Sequence, residues 1–229
     1  MKIILMTTVL LVAFTTSANA ANLIRNAGFE TVPGAATGQG IMPSDWVTTN
    51  SSPDTYSNDG SYGLPPSGFG NFPGVTAQEG IRWVAGWSSE PENFGQTLSS
   101  SLIGGQAYSL SAYLIQAKRA VLDHPGGYEV YLTADATGNI ASGVLLGNLG
   151  ATTNLDTWEY FALSFTAPQN ANLLSFLLFK PFGDSAYAGL DNLNLSVTNP
   201  NAVPIPAAAF MFAPALLGFM GLRRRSKKA

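Results

Sequence analysis

Short runs of alternating apolar and polar residues dominate the middle of this chain and limit its fold more than any other feature. The clearest is Ala107 to Gln116, "AYSLSAYLIQ", in which Tyr, Leu and Ala side chains fall on one side of an extended backbone. Gly, Pro, Asn and Asp separate it from similar runs at 81–87, 94–98, 128–134, 158–165, 173–179 and 188–197. Period-two alternation indicates half-buried strands, so the sequence predicts an all-β fold, an antiparallel β-sandwich.

The segment from Thr31 to Gly80 lacks this alternation and is rich in Gly, Pro, Ser and Asn. We therefore predict a long loop, which in a compact domain is functional or mobile.

The composition excludes several functional classes. The chain has 229 residues and no cysteine, which excludes disulfides and thiol chemistry, and it has one histidine, His124. The region 21–200 keeps five basic residues against 14 acidic ones, a formal balance of −9. An acidic surface repels phosphate backbones, so nucleic acid is not expected as a partner.

The N-terminus has the pattern of a secretory signal peptide. Lys2 precedes an apolar run from Ile3 to Phe14, and Ala18-Asn19-Ala20 supplies a small-x-small cleavage site. We predict a signal peptide, with its helix, at 1–20, and a β-sandwich domain at 21–200.

The C-terminus combines an uncharged stretch with a basic end. Val203 to Leu222 contains no charged residue, which is long enough for a transmembrane helix. This stretch is followed by the basic residues Arg223, Arg224 and Arg225. Their charge favours a cytoplasmic location for the C-terminal end of the helix. A buried core helix is the alternative, but such a helix would show one apolar stripe rather than an apolar surface all round.

This three-part ending resembles the PEP-CTERM sorting signals, close to their VPLPA-type variant. The motif residues are Val203, Pro204, Ile205 and Pro206, within a motif at 203–207, followed by a span at 207–222 and a tail at 223–229. The resemblance implies an exosortase-type enzyme as partner and a transient inner-membrane anchor. It also implies delivery to the surface or extracellular matrix of a Gram-negative cell. The sequence lacks the literal Pro-Glu-Pro.

Four segments of the domain follow one another in a recognisable order: "NLIRNAGFE" as a first strand, "FGQTLSSSLIGGQAYSLSAYL", and the closing "WEYFALSFTA" and "AGLDNLNLSV". In these segments the domain resembles galactose-binding-like jelly rolls and carbohydrate-binding modules. In several such modules a structural calcium ion joins the first and last strands, which implies Glu30 and Asp191 as ligands here. Ca²⁺ binds oxygen ligands, carboxylates among them. The alternative is a solvated Glu30 and a turn-capping Asp191.

Aromatic side chains are the candidates for carbohydrate binding, because they offer a flat apolar face and a polar edge. The candidates are Trp46, Tyr56, Tyr62 and Trp87, with Asp54, Asp59 and Glu90 near them in sequence. Trp83 and Trp158 lie in strand-like runs and are better explained as core residues.

No G-x-S-x-G or H-E-x-x-H motif is present, so we expect no enzyme activity. The leading expectation is a non-catalytic, carbohydrate-binding surface or matrix protein. A structural biofilm protein without a defined ligand is the first alternative, and a glycoside hydrolase, which needs paired carboxylates, is the second.

Overall fold

The computed structural model describes residues 21–35, 38–58, 74–89, 92–116, 124–133, 140–179 and 185–198. Residues Ala20–Thr198 belong to one compact unit. The predicted signal peptide, sorting motif and transmembrane helix lie outside the described residues. Within the part that is described, no helix is long and apolar enough to cross a membrane.

The described residues form two antiparallel sheets that pack as a β-sandwich, which confirms the predicted fold class. The larger sheet has the order β1 (Gly38–Gln39), β3 (Asp54–Ser57), β4 (Arg82–Trp87), β11 (Tyr187–Val197), β6 (Ala107–Gln116) and β9 (Glu159–Thr166). The smaller sheet has the order β2 (Val47–Asn50), β5 (Asn93–Leu102), β10 (Ala171–Phe179), β7 (Gly127–Thr133) and β8 (Val144–Leu149). Short 3-10 helices occupy Pro33–Ala35 and Ile140–Ser142.

The main core lies between the sheets and follows from the alternation. On β6 the even-numbered residues Leu110, Ala112 and Leu114 are fully buried, and on β10 Leu174 and Phe176 are as well. The odd-numbered residues of these strands lie on the outer faces of the sheets, where Ile115, Leu173 and Ser175 are also buried. Parts of both strands are therefore buried on both faces, and the outer face of the larger sheet carries a second cluster of buried residues that is rich in aromatic rings.

The segment "NLIRNAGFE" is not a regular strand, although its resemblance implies one. It connects the two sheets instead: the N–H of Leu23 donates to the carbonyl of Leu195 (2.8 Å), and the N–H of Ser99 donates to the carbonyl of Leu23 (2.9 Å). The buried amide of Gln96 pairs with the backbone N–H and C=O of Arg25. The first residues thus close one end of the sandwich.

The prediction of one long loop over 31–80 is wrong in part, because β1, β2 and β3 lie within it. β3 is buried at all four positions, so it shows no alternation. β2, with the sequence VTTN, is largely exposed and therefore polar. Strand β8 was also missed, since its Gly and Asn interrupt a mostly exposed strand.

Candidate functional site

A row of aromatic side chains crosses the outer face of the larger sheet. At one end, Tyr56 on β3 pairs in register with Trp83 on β4, and their rings stack with centroids 5.3 Å apart and planes inclined by 12°. A Cβ atom added to Gly189 would come within 3.0 Å of Cδ1 of Trp83. The indole therefore lies on the bare backbone of Gly189, and both rings of the stack are buried.

The row continues across β11, β6 and β9. The register places Asp191 opposite Tyr113, and Tyr113 opposite Tyr160. On the other side of β11, the last residue paired with β4 is Leu190, opposite Val84, so Asp191 and Trp83 each lie next to that pair. The two tyrosine rings meet edge to face with centroids 5.3 Å apart. Tyr160 is 60% exposed, so this end is open to solvent. We call this line of residues the aromatic row: it consists of the rings of Tyr56, Trp83, Tyr113 and Tyr160, with Asp191 between the two pairs.

Trp158 lies against the centre of the aromatic row. Its ring meets that of Trp83 edge to face, with centroids 6.3 Å apart. Its Nε1–H donates to the carbonyl of Thr76 (2.8 Å), and Val75 and Ala77 pack on the same cluster. The segment 75–77 therefore covers the buried end, while Trp158 itself stays half-buried.

A buried carboxyl group, that of Asp54, ends a hydrogen-bonded chain of two tyrosines at the covered end. The hydroxyl of Tyr187 donates to Oδ2 of Asp54, and the hydroxyls of Tyr187 and Tyr56 are 2.9 Å apart. Because Tyr187 uses its proton on Asp54, Tyr56 donates to Tyr187. Burial raises the pKa of Asp54 to about 6, although the bonds from Tyr187 and the backbone of Gly40 act in the opposite direction.

The two predicted calcium ligands are anchored to one turn, Gln78–Arg82. Oε1 of Glu30 accepts the N–H groups of Ile81 (2.8 Å) and Arg82 (2.9 Å). Oδ2 of Asp191 accepts the N–H groups of Gln78 (2.8 Å) and Glu79 (3.0 Å). The carboxylates therefore hold the turn against the end of the larger sheet.

The same two residues meet part of the requirement for a cation. Burial raises the pKa of Asp191 to about 7, against the lowering effect of its backbone hydrogen bonds, and the nearby charge of Glu30 adds to the rise. Nη1 of Arg82, however, lies 3.9 Å from Oε2 of Glu30. Among the residues that the structure describes, no group of three or more acidic or histidine side chains could hold a metal ion. An ion would thus need backbone carbonyls or water to complete its shell.

The structure separates the four aromatic candidates. Trp46 lies in the main core, where its ring contacts Phe29 at 4.8 Å, so it offers no face to a ligand. Tyr56 belongs to the buried end of the aromatic row. Trp87 is half-buried on the same face, and its Nε1–H has no partner within the described part of the chain. Tyr62 lies outside the described residues.

Sequence reasoning missed Tyr113 and Tyr160, the exposed half of the aromatic row. Their strands were predicted, and adjacent strands with outward tyrosines were the available signal. The sequence does not show that β6 pairs with β9, because 42 residues lie between Gln116 and Glu159 and neither strand's sequence specifies its neighbour in the sheet. The aspartate between the aromatic rings was identified only as a metal ligand.

Comparison with known families gives this geometry a context. A family model described as HpiC1 cyclase matches residues 20–196. This chain belongs to the HpiC1-like family. No curated protein matches this HpiC1-like chain in sequence.

Similar solved structures include a cyclase and carbohydrate-related proteins. A cyclase from Fischerella sp. TAU, in complex with 4-(1H-indol-3-yl)butan-2-one, has 19% identity and a TM-score of 0.50 and covers 78% of this chain and 98% of its own. An arabinose-bound α-L-arabinofuranosidase has 12% identity and a TM-score of 0.50, with 78% of this chain and 26% of its own covered. A CBM61 module in complex with β-1,4-galactotriose has 15% identity and a TM-score of 0.44, with coverages of 78% and 99%.

Proposed function

We propose that this chain is an exported β-sandwich that binds carbohydrate at the exposed end of the aromatic row. The observation that carries the proposal is the group of accessible rings, Trp158, Tyr113 and Tyr160, on one face of the larger sheet. Such rings present apolar faces to the C–H surface of a sugar, and the tyrosine hydroxyls can bond to its hydroxyl groups. Nothing in this role requires catalysis.

The test compares Tyr160→Ala with Tyr160→Phe and with Ile103→Ala. Ile103 is also exposed (62%) but lies on the turn after β5, away from the row. Loss of one stacking ring should weaken binding about tenfold, since such contacts contribute on the order of 1 kcal/mol or more. Binding to soluble oligosaccharides is measured by calorimetry. Equal affinity of Tyr160→Ala and the wild type would contradict the proposal.

A second candidate function is acid-assisted cyclisation, which the family description and one structural observation support. A hydrogen-bonded chain through Tyr187 links Tyr56, one of the two stacked rings, to the Asp54 carboxyl group, which is protonated below about pH 6. A protonated carboxyl group could donate its proton to a π bond of an organic substrate. The aromatic faces would stabilise the resulting cation. Return of a proton to the carboxylate after ring closure would leave an isomer of the substrate.

This second candidate predicts binding of a heteroaromatic ligand. The probe is 4-(1H-indol-3-yl)butan-2-one, the molecule bound by the Fischerella cyclase. Calorimetry should detect binding to the wild type and a loss for Trp158→Ala, and proton exchange into the bound probe from D₂O should fail in Asp54→Asn. Absence of both signals, with saccharide binding intact, would leave only the carbohydrate role.

The route to the cell surface is part of the proposal. The motif at 203–206 and Arg223–Arg225 would direct the chain to an exosortase-type enzyme after anchoring in the inner membrane. Intact-mass measurement on protein from cells and from medium tests this directly. The expected masses correspond to cleavage near Ala20 and loss or replacement of the tail. A secreted protein that keeps residues 203–229 unmodified would refute it.

Calcium at Glu30 and Asp191 is also proposed, as a structural ion. Each carboxylate has about four acceptor sites, and the turn Gln78–Arg82 occupies only some of them. A bound ion would stabilise the folded protein, by an amount that grows with the logarithm of the free calcium concentration once this exceeds the dissociation constant. The melting temperature of the wild type should be higher in calcium than in EDTA, whereas that of Glu30→Gln should be the same in both. An equal rise in both proteins would place the ion elsewhere.

A further inference from the structure

A groove of about 540 Å³ lies on the outer face of the smaller sheet, on the side of the sandwich opposite to the aromatic row. Thr49 and Asn93 line one part of it, Leu177 and Tyr131 another, and Ile140 and Ala141 a third. The volume is in the range of small-molecule sites.

Two polar atoms of the groove residues have no partner among the described residues. Oδ1 of Asn93 and Oγ1 of Thr49 are both buried without a hydrogen bond, and Asn93 is only 4% exposed. Buried polar atoms are nearly always hydrogen-bonded in folded proteins, so two such atoms at one groove call for a partner from outside the described residues, either water or a ligand. An amide oxygen needs a donor, and a hydroxyl group of a ligand is one.

The rest of the groove fixes the shape and charge of that ligand. Leu177 lies between Asn93 and Glu129 in the register and provides an apolar surface among polar neighbours. The hydroxyl of Tyr131 donates to Oε2 of Glu129 (2.7 Å), which holds the tyrosine ring in place. None of the described residues that line the groove is charged, and the acidic residue Glu129 is the hydrogen-bond partner of the lining residue Tyr131. The site therefore favours a neutral ligand and disfavours carboxylates and phosphates.

We propose that this groove is a second saccharide-binding site, selective for neutral sugars over uronates. The apolar surface would contact the C–H face of a pyranose ring, while Asn93 and Thr49 would bond to its hydroxyl groups. With the aromatic row on the opposite sheet, one domain could then bridge two polysaccharide chains. Only this bridging depends on the proposed function of the aromatic row; the groove itself does not.

The test uses Ala141→Trp, which fills the groove from an exposed position, and Ser142→Trp as the matched control at the next exposed residue. Amide NMR with ¹⁵N-labelled full-length mature protein measures shifts on addition of neutral cello-, laminari-, galacto- and chito-oligosaccharides and of oligogalacturonate. At least one neutral sugar should shift the side-chain amide of Asn93, with affinity reduced about tenfold or more in Ala141→Trp and unchanged in Ser142→Trp. Oligogalacturonate should bind about tenfold more weakly than that sugar.

Three results would overturn the proposal: no shift at Asn93 with any neutral sugar, equal binding by Ala141→Trp and the wild type, or tighter binding of oligogalacturonate. The variant Tyr160→Ala separates the two sites. If it abolishes all binding while the groove shows no shifts, the aromatic row alone binds sugar. If only the groove responds, this inference stands and the proposed function of the row fails.

Discussion

Replacement of Asp54 by Asn should make the protein more stable at neutral pH. Asp54 is 1% exposed, and burial raises its pKa from 3.8 to about 6. In the unfolded chain the carboxyl group ionises near 3.8, whereas in the folded protein ionisation must occur in a desolvated position. Above about pH 6 the folded state therefore carries a penalty that is absent below about pH 4.

The magnitude follows from the two pKa values. A difference of about two pKa units corresponds to about 3 kcal/mol of unfolding free energy at 25 °C. Stability falls as pH rises from about 4 to 6, because over that range the folded state binds a proton that the unfolded state has lost. The amide oxygen that Asp54→Asn introduces can still accept the hydroxyl proton of Tyr187, so the variant keeps that bond and loses the pH-dependent penalty.

Urea unfolding of the wild type and Asp54→Asn at pH 4 and pH 8 measures this effect. The stability difference between the two proteins should change by about 3 kcal/mol in favour of the variant between the two pH values. Asp45→Asn is the control, because Asp45 is exposed to solvent, and it should show no such change. Parallel pH profiles for the wild type and Asp54→Asn would refute the reasoning.

Three further substitutions test the packing of the fold. Trp46→Ala should cost about 3–5 kcal/mol of unfolding free energy, because its ring fills the main core, while saccharide affinity stays unchanged in the folded fraction. Gly80→Ala should destabilise more than Gly74→Ala in thermal unfolding: both have φ near +70°, but the new Cβ at Gly80 would meet the Glu30 carboxylate and at Gly74 nothing. Gln96→Ala should cost about 1–3 kcal/mol in urea, since it removes both bonds to the N-terminal segment; an effect below about 0.5 kcal/mol would contradict that role.

Alternation made most of the fold predictable. β6, β7, β9, β10 and β11 were predicted within a few residues, since each directs alternate apolar side chains toward the main core. The prediction missed β3, which is buried throughout, and β2, which is largely exposed, because neither shows the alternation. The residues of the candidate site were also predicted only in part from the sequence. Glu30 and Asp191 were identified from a resemblance, and the structure brings them to one turn, but their calcium remains a proposal.

What the sequence alone determined is the class of fold, because a period of two residues is a local property of a half-buried strand. It did not determine which outward residues meet. Tyr56 and Tyr160 are 104 positions apart in the chain and end one row across a sheet because of strand order and register. Likewise Thr49, Asn93 and Tyr131 come together only on the assembled smaller sheet. Strand pairing is decided by the packing of the whole core, so both binding faces proposed here come from tertiary structure.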